Sequence, residues 1–265
     1  MAIEVFNRYE KKYIINDEQY KALRERLAEY MEADAHSKDG GFYTICNIYY
    51  DTPDNNLIRA SVDPAGARYK EKVRLRSYGT VGTDDKVFLE IKKKYEGLVN
   101  KRRTTMYLKD AYNFIETKEQ PEIQPFMNKQ VLNELSYAIK RNNIEPKLFL
   151  SYDRVAMFGK DNKDFRITFD KNITTRRYDL GLHYGVYGDK LLEEGKWIME
   201  VKIDNAMPLW MTKILSELKI YPGSFSKYGT EYKKFVKENS RVNLENEKNY
   251  EPAGDLAMAN GGKLC

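Results

Sequence analysis

The chain has 265 residues, 42% of them apolar and 13% aromatic, enough to bury one sizeable core. Its 45 Lys and Arg face 40 Asp and Glu for a net charge of +5, so bulk charge makes no case for nucleic acid and the distribution of charge must decide. Cys46 and Cys265 give neither a disulfide framework nor zinc spacing, and the absence of a long apolar run or charged-then-apolar leader leads us to expect a soluble, cytoplasmic protein without a membrane span or signal peptide.

Residues 3–15 read as a strand, with Tyr9, Tyr13 and Ile15 on one parity and Arg8, Glu10 and Lys12 on the other. Asn16 and Asp17 cap a predicted helix reaching about Met31, whose Tyr20, Leu23, Leu27 and Tyr30 recur at three- and four-residue steps. Gly40-Gly41 breaks the chain before a strand over 42–50. The turn Asp51-Thr52-Pro53-Asp54 follows, and 55–69 is expected as a loop or short helix.

Lys72-Val73-Arg74-Leu75-Arg76 then inverts the usual strand pattern. Val73 and Leu75 leave one face while Lys72, Arg74 and Arg76 leave the other, and three cations at period two repel unless an anion lies across them. The pattern returns in 87–95, where Glu90, Lys92 and Lys94 oppose Val87, Leu89 and Ile91. After Gly97 it returns again in 99–108, with Lys101, Arg103 and Thr105 opposite Met106 and Leu108, so these two strands are predicted to pair as a hairpin.

Residues 110–117 and 129–140 read as helices, the second with Val131, Leu132, Leu135 and Ile139 as its apolar stripe. A strand over 147–158 carries Tyr152, Arg154 and Ala156 on one parity. After the turn at 161–164, residues 165–170 set Arg166, Thr168 and Asp170 against Phe165, Ile167 and Phe169. A Gly- and Tyr-rich connection leads to 197–203, where Ile198, Glu200 and Lys202 oppose Trp197, Met199, Val201 and Ile203. Pro208 suits the first position of a last core helix, Lys227 follows a Pro-Gly turn, and 239–265 reads as a polar, aperiodic tail outside a domain of 1–238.

About eight strands thus share apolar residues on one face and basic residues on the other, and an antiparallel β-barrel with flanking helices is the economical α+β solution. Its expected lumen holds Lys12, Lys72, Arg74, Arg76, Lys92, Lys94, Lys101, Arg103, Arg154, Arg166, Lys202 and Lys227, beside Glu10, Glu90 and Glu200. Arg offers bidentate recognition of phosphate oxygens and Lys a compact charge, which suits a triphosphate or polyphosphate. From spacing alone Glu200 is either the ligand of a divalent cation bridging phosphate oxygens or an ion-pair partner of the cations. Tyrosines in the strands are expected to pack rather than to stack bases. His36 and His183 are isolated, and neither a GxxxxGK[ST] loop nor a GxGxxG turn occurs.

Taken in order, Tyr9-Glu10-Lys11-Lys12-Tyr13, the segment Lys72 to Gly79, Phe88-Leu89-Glu90-Ile91-Lys92, Tyr152-Asp153-Arg154-Val155-Ala156, Arg166-Ile167-Thr168-Phe169-Asp170, Met199-Glu200-Val201-Lys202 and Ser226-Lys227-Tyr228 carry a resemblance. Over residues 3–236 the chain resembles the polyphosphate polymerase domain of the vacuolar transporter chaperone family, a branch of the triphosphate tunnel (CYTH-like) superfamily. The resemblance implies a tunnel barrel that binds ATP and moves its γ-phosphoryl group onto a growing polyphosphate chain, with Mn²⁺ or Mg²⁺. It implies catalytic roles for Lys12, Arg74, Arg76, Lys92, Arg154 and Arg166, and a metal-binding role for Glu200. It places Lys227 among substrate-binding residues, to which the lumen pattern adds Glu10, Lys72, Lys94, Lys101, Arg103 and Lys202.

Hydrolytic relatives open with Glu-x-Glu-x-Lys, whereas Arg8 stands at the first glutamate position here, as in the polymerase branch. The chain starts at its first strand, so the regulatory inositol-phosphate-sensing domain and membrane channel of the eukaryotic complex are expected to be absent, and no motif identifies a membrane-protein partner. The alternatives are a metal-dependent triphosphatase on the same fold and a non-catalytic polyphosphate-binding module. Nucleic acid ranks below both, with only weak, salt-dependent binding expected.

Overall fold

A computed structural model of the chain describes residues 9–248 except 36, 38–40, 64, 97, 204 and 205. The chain divides into two compact units, 1–231 and 232–265. The strand start expected at 3–8 with Arg8, the Gly40 and Gly97 breaks, and tail residues 249–265 lie outside the described residues.

One antiparallel sheet organises the first unit. Its main path runs β1 (Tyr9–Asn16), β10 (Lys196–Ile203), β8 (Arg166–Arg176), β7 (Glu145–Gly159), β3 (Tyr43–Asp51), β4 (Tyr69–Tyr78), β5 (Lys86–Tyr95) and β6 (Leu98–Tyr107). Short strands β2 (Met31–Ala33) and β9 (Asp189–Lys190) pair with β7 and β8.

The apolar parity of each strand finds its cover on the outside of the sheet. Ile48, Val73, Leu75 and Leu89 pack with Phe114 of α3 (Leu108–Thr117) and Leu132 of α4 (Lys129–Asn142). Ile15, Phe169 and Met199 pack with Leu23 of α1 (Asp17–Leu27) and Met211 of α5 (Leu209–Glu217). Each such side chain contributes about 1.5–3 kcal/mol on burial. Two apolar shells therefore grip the sheet from outside, and the charged parity is left to the concave face.

Three boundaries differ from the sequence reading. Asn16 caps α1 through a reciprocal pair with Gln19, at 2.8 and 3.1 Å, but the helix stops at Leu27 rather than Met31. Met31 is instead buried from a strand that pairs with Gly159, so sheet pairing overrides the helical period. Pro208 is the N-cap of α5, one position before the expected place. The short helix allowed for within 55–69 is present as α2 (Asn56–Val62), whereas α6 (Lys227–Lys248) continues through residues 239–248, where an aperiodic tail is expected. Side-chain pairing of Lys234 with Glu238 at 3.9 Å supports that helix without the apolar period that signals a packed one.

The sheet curves like a barrel but is not strictly closed. β1 and β6 end the path without pairing, and β1 instead accepts a bond from the Gly223 N–H to the Lys12 carbonyl at 2.8 Å. β6 is an edge guarded by charge, since Lys101 and Arg103 are both exposed on it. Among the described residues no helix is long and apolar enough to cross a membrane.

Candidate functional site

Strand register assembles the site in rows. Tyr49 of β3 faces Arg74 of β4, which faces Glu90 of β5, which faces Arg103 of β6. One step along, Lys72, Lys92 and Lys101 stand opposite one another across β4, β5 and β6. On the other half, Lys12 faces Glu200, Glu10 faces Lys202, and Arg154 faces Asp170.

These rows line a cavity of about 260 Å³ holding eleven Lys and Arg side chains and three carboxylates, Glu10, Glu90 and Glu200. Of the sequence-predicted site residues, Glu10, Lys12, Lys72, Arg74, Arg76, Lys92, Lys101, Arg103, Arg154, Arg166, Glu200, Lys202 and Lys227 all reach it. Lys94 does not. It keeps the right parity, but two residues beyond Lys92 carry it about 7 Å along the strand, into an outer groove with Lys70 and Arg68.

The carboxylates are held by cations. Glu90 is 1% exposed and takes Arg74 Nε at 2.6 Å, Lys101 Nζ at 2.9 Å and Arg76 Nε at 3.9 Å. Burial alone would raise its pKa, but Arg74, Arg76 and Lys101 pull it down to about 2. Glu200 lies 3.2 Å from Lys227, 3.5 Å from Lys12 and 3.9 Å from Arg154, and these cations outweigh burial to hold it well below the carboxylate range. Lys12 also reaches Glu10 at 3.2 Å and the Phe225 carbonyl at 3.0 Å.

Other cations are held less closely by carboxylates. Lys72 donates only a long 3.4 Å bond to Ser226 Oγ, and burial, then Lys92, Lys12 and Arg74, push its pKa down to about 8. Lys202 is lowered too, first by burial. Arg103 rests on the Phe88 ring at 4.7 Å, and Arg166 on Phe158 at 4.9 Å with Asp34 3.6 Å from its guanidinium. A face with this excess of cations over carboxylates is complementary to a small, densely charged anion.

Asp170 was outside the candidate set although its alternation was visible. It is fully buried and accepts both Arg154 nitrogens at 2.6 and 2.7 Å, together with Lys227 at 2.5 Å. Five tyrosines, Tyr43, Tyr49, Tyr78, Tyr152 and Tyr228, also line the cavity, and three of them, Tyr49, Tyr152 and Tyr228, are buried. Arg76 donates to Tyr152 at 3.2 Å, and Lys227 sits 4.6 Å from the Tyr152 ring. Burial raises the Tyr49 phenol, but Arg74, Arg76 and Lys72 overcome it and lower the pKa. The missed signal is parity: Tyr43, Tyr49 and Tyr152 alternate in step with the charged face of their strands.

Among the described residues no cluster of three His, Cys, Asp or Glu groups forms a protein-only metal site. Glu200 with Glu10, both in contact with Lys12, fits only an ion whose remaining ligands come from phosphate and water.

The family model for the VTC domain matches residues 7–236. A comparison with curated proteins returns no match. Among solved structures, a candidate adenylate cyclase from Bacillus halodurans is similar at 17% identity and TM-score 0.49, covering 85% of this chain and 96% of its own. A candidate adenylyl cyclase from Hippeastrum, described as having a dominant triphosphatase activity, is 14% identical at TM-score 0.49, over 83% of this chain and 92% of its own. A Pyrococcus horikoshii protein is 14% identical at TM-score 0.41, over 86% of this chain and 99% of its own. The family match spans most of the sheet and all of the cavity lining, and by it this chain belongs to the VTC domain family.

Proposed function

We propose that the chain is an ATP-dependent polyphosphate polymerase. The observation that carries this reading is the state of two of the cavity's three carboxylates and of Asp170, which is ion-paired to the cavity's Arg154 and Lys227. Glu90 and Glu200 are held far below neutrality by the cations around them, and buried Asp170 is lowered by Arg154 and Lys227 despite its burial. Carboxylates with such depressed pKa values are poor proton acceptors at neutral pH. Water as acceptor must lose a proton, whereas the terminal oxygen of a phosphate chain is already anionic. The charge pattern therefore supports a phosphate acceptor over water.

In this reading Arg74, Arg76, Lys92, Arg154, Arg166 and Lys12 bind the triphosphate and hold the γ-phosphorus in line with the acceptor oxygen. The bond from the γ-phosphorus to the β–γ bridging oxygen breaks, a new phosphorus–oxygen bond forms to the chain terminus, and ADP departs. Lys72, Lys101, Arg103, Lys202 and Lys227 neutralise oxygens along the same path. Glu200, with Glu10 nearby, would hold Mn²⁺ or Mg²⁺, which when bound supplies charge neutralisation on phosphate oxygens.

The test is stoichiometric. With ATP, Mn²⁺ and short polyphosphate, the expected result is ADP without an equal yield of orthophosphate. Equal ADP and orthophosphate would overturn the reading and leave hydrolysis.

A further inference from the structure

The facing pairs between β4 and β5 form a graded series on one side of the sheet. In order they are Arg76 with Phe88, Arg74 with Glu90, Lys72 with Lys92, and Lys70 with Lys94. Successive pairs are two residues apart, so the series is about 20 Å long. The first three pairs contribute residues that line or rest against the cavity. The fourth lies past its rim, in an outer groove of about 410 Å³ with Gly66, Ala67, Arg68 and Glu96.

Like charges directly opposite across strands are destabilising, and here two successive pairs are lysine against lysine. Exposed Arg68 and Glu96 pair at 2.5 Å and neutralise each other. Lys70 donates a 3.2 Å bond to the Ser61 carbonyl, and Lys94 is exposed. Positive charge therefore runs without interruption from the cavity floor to the surface at this end. At the opposite end of the same strands Tyr78 and Phe88 meet edge to face at 5.9 Å, and the Arg103 guanidinium rests on the Phe88 ring.

We propose that Lys70 and Lys94 form an external polyphosphate-binding site, a continuation of the tunnel that holds the part of a long chain reaching beyond Lys72 and Lys92. The inference rests on the polymerase reading. A triphosphate fits within the cavity and does not reach the outer pair, whereas a long chain engages both. Lys70 and Lys94 thus discriminate by ligand length and leave the binding of short anions to the cavity.

The test compares binding of tripolyphosphate and of long-chain polyphosphate by titration calorimetry, using the whole chain and the Lys70→Ala/Lys94→Ala double variant. Both positions lie at the rim, and the variant's circular dichroism and thermal unfolding should match the unmutated protein. The expected result is tripolyphosphate affinity unchanged, and long-chain affinity lowered by about five- to tenfold, the sum of two exposed charge contacts. A double variant that binds the long chain as well as the unmutated protein overturns the outer site. Equal loss for both ligands overturns it too, because the lysines would then act on the cavity. If the unmutated protein binds neither anion, the functional reading itself falls, and this inference with it.

Discussion

Arg154 and Asp170, directly opposite on β7 and β8, form a two-pronged ion pair at 2.6 and 2.7 Å with the carboxylate fully buried. Lys227, from the start of α6, adds a third contact at 2.5 Å to the same carboxylate. Asp170 is thus the counter-charge that sets two cavity-lining cations in place without any ligand.

Replacing Asp170 by Ala leaves Arg154 and Lys227 buried without their partner, and the expected loss is about 3–5 kcal/mol in folding stability. Denaturant unfolding measures it. Tripolyphosphate should restore much of the loss by supplying the missing negative charge, and a variant as stable as the unmutated protein would contradict this role.

Glu90 does the same for Arg74, Arg76 and Lys101. Glu90→Gln should lower the stability of the free protein and enlarge the rise in melting temperature that tripolyphosphate produces. Its acid limb follows from sign. A carboxyl lowered to about 2 in the fold stabilises above its unfolded pKa and loses that contribution as pH falls from about 4.5 towards 2, so Glu90→Gln should flatten stability in that window.

Lys72 gives the opposite limb. Its pKa is lowered from 10.5 to about 8, so the unfolded chain holds more protons between those values and stability rises with pH across them. Lys101, also lowered to about 8 with Glu90 beside it, contributes to the same rise, while Lys72 itself is faced by Tyr49, Lys92, Lys12 and Arg74. Binding of a polyanion favours the charged amines, so tripolyphosphate affinity should fall over the same range. Lys72→Met should reduce both slopes in unfolding and titration measured from neutral to alkaline pH.

Much of this was legible from alternation. The inverted parity of 72–76, 87–95 and 197–203 placed Arg74, Glu90, Lys92, Glu200 and Lys202 on one face, and register did the rest. What alternation leaves open is distance along a strand, which is why Lys94 has the cavity's parity yet sits outside it. It also leaves open what meets the free edge of β1, because the bond from Gly223 to Lys12 joins residues far apart in sequence through a segment with no period. Asp170 was visible only as an alternating acid, and its part as a shared counter-ion depends on Lys227 arriving from another element.

The most direct measurement of the central claim follows the γ-phosphate itself. With γ-labelled ATP and Mn²⁺, the account predicts that label enters an acid-stable polymer resolved as a ladder on a gel, and that Arg74→Ala, which removes the cation at the centre of the Tyr49–Glu90 row, loses about 30-fold or more of this activity. Label recovered as orthophosphate alone, or retained in ATP while the protein still binds polyphosphate, would contradict it.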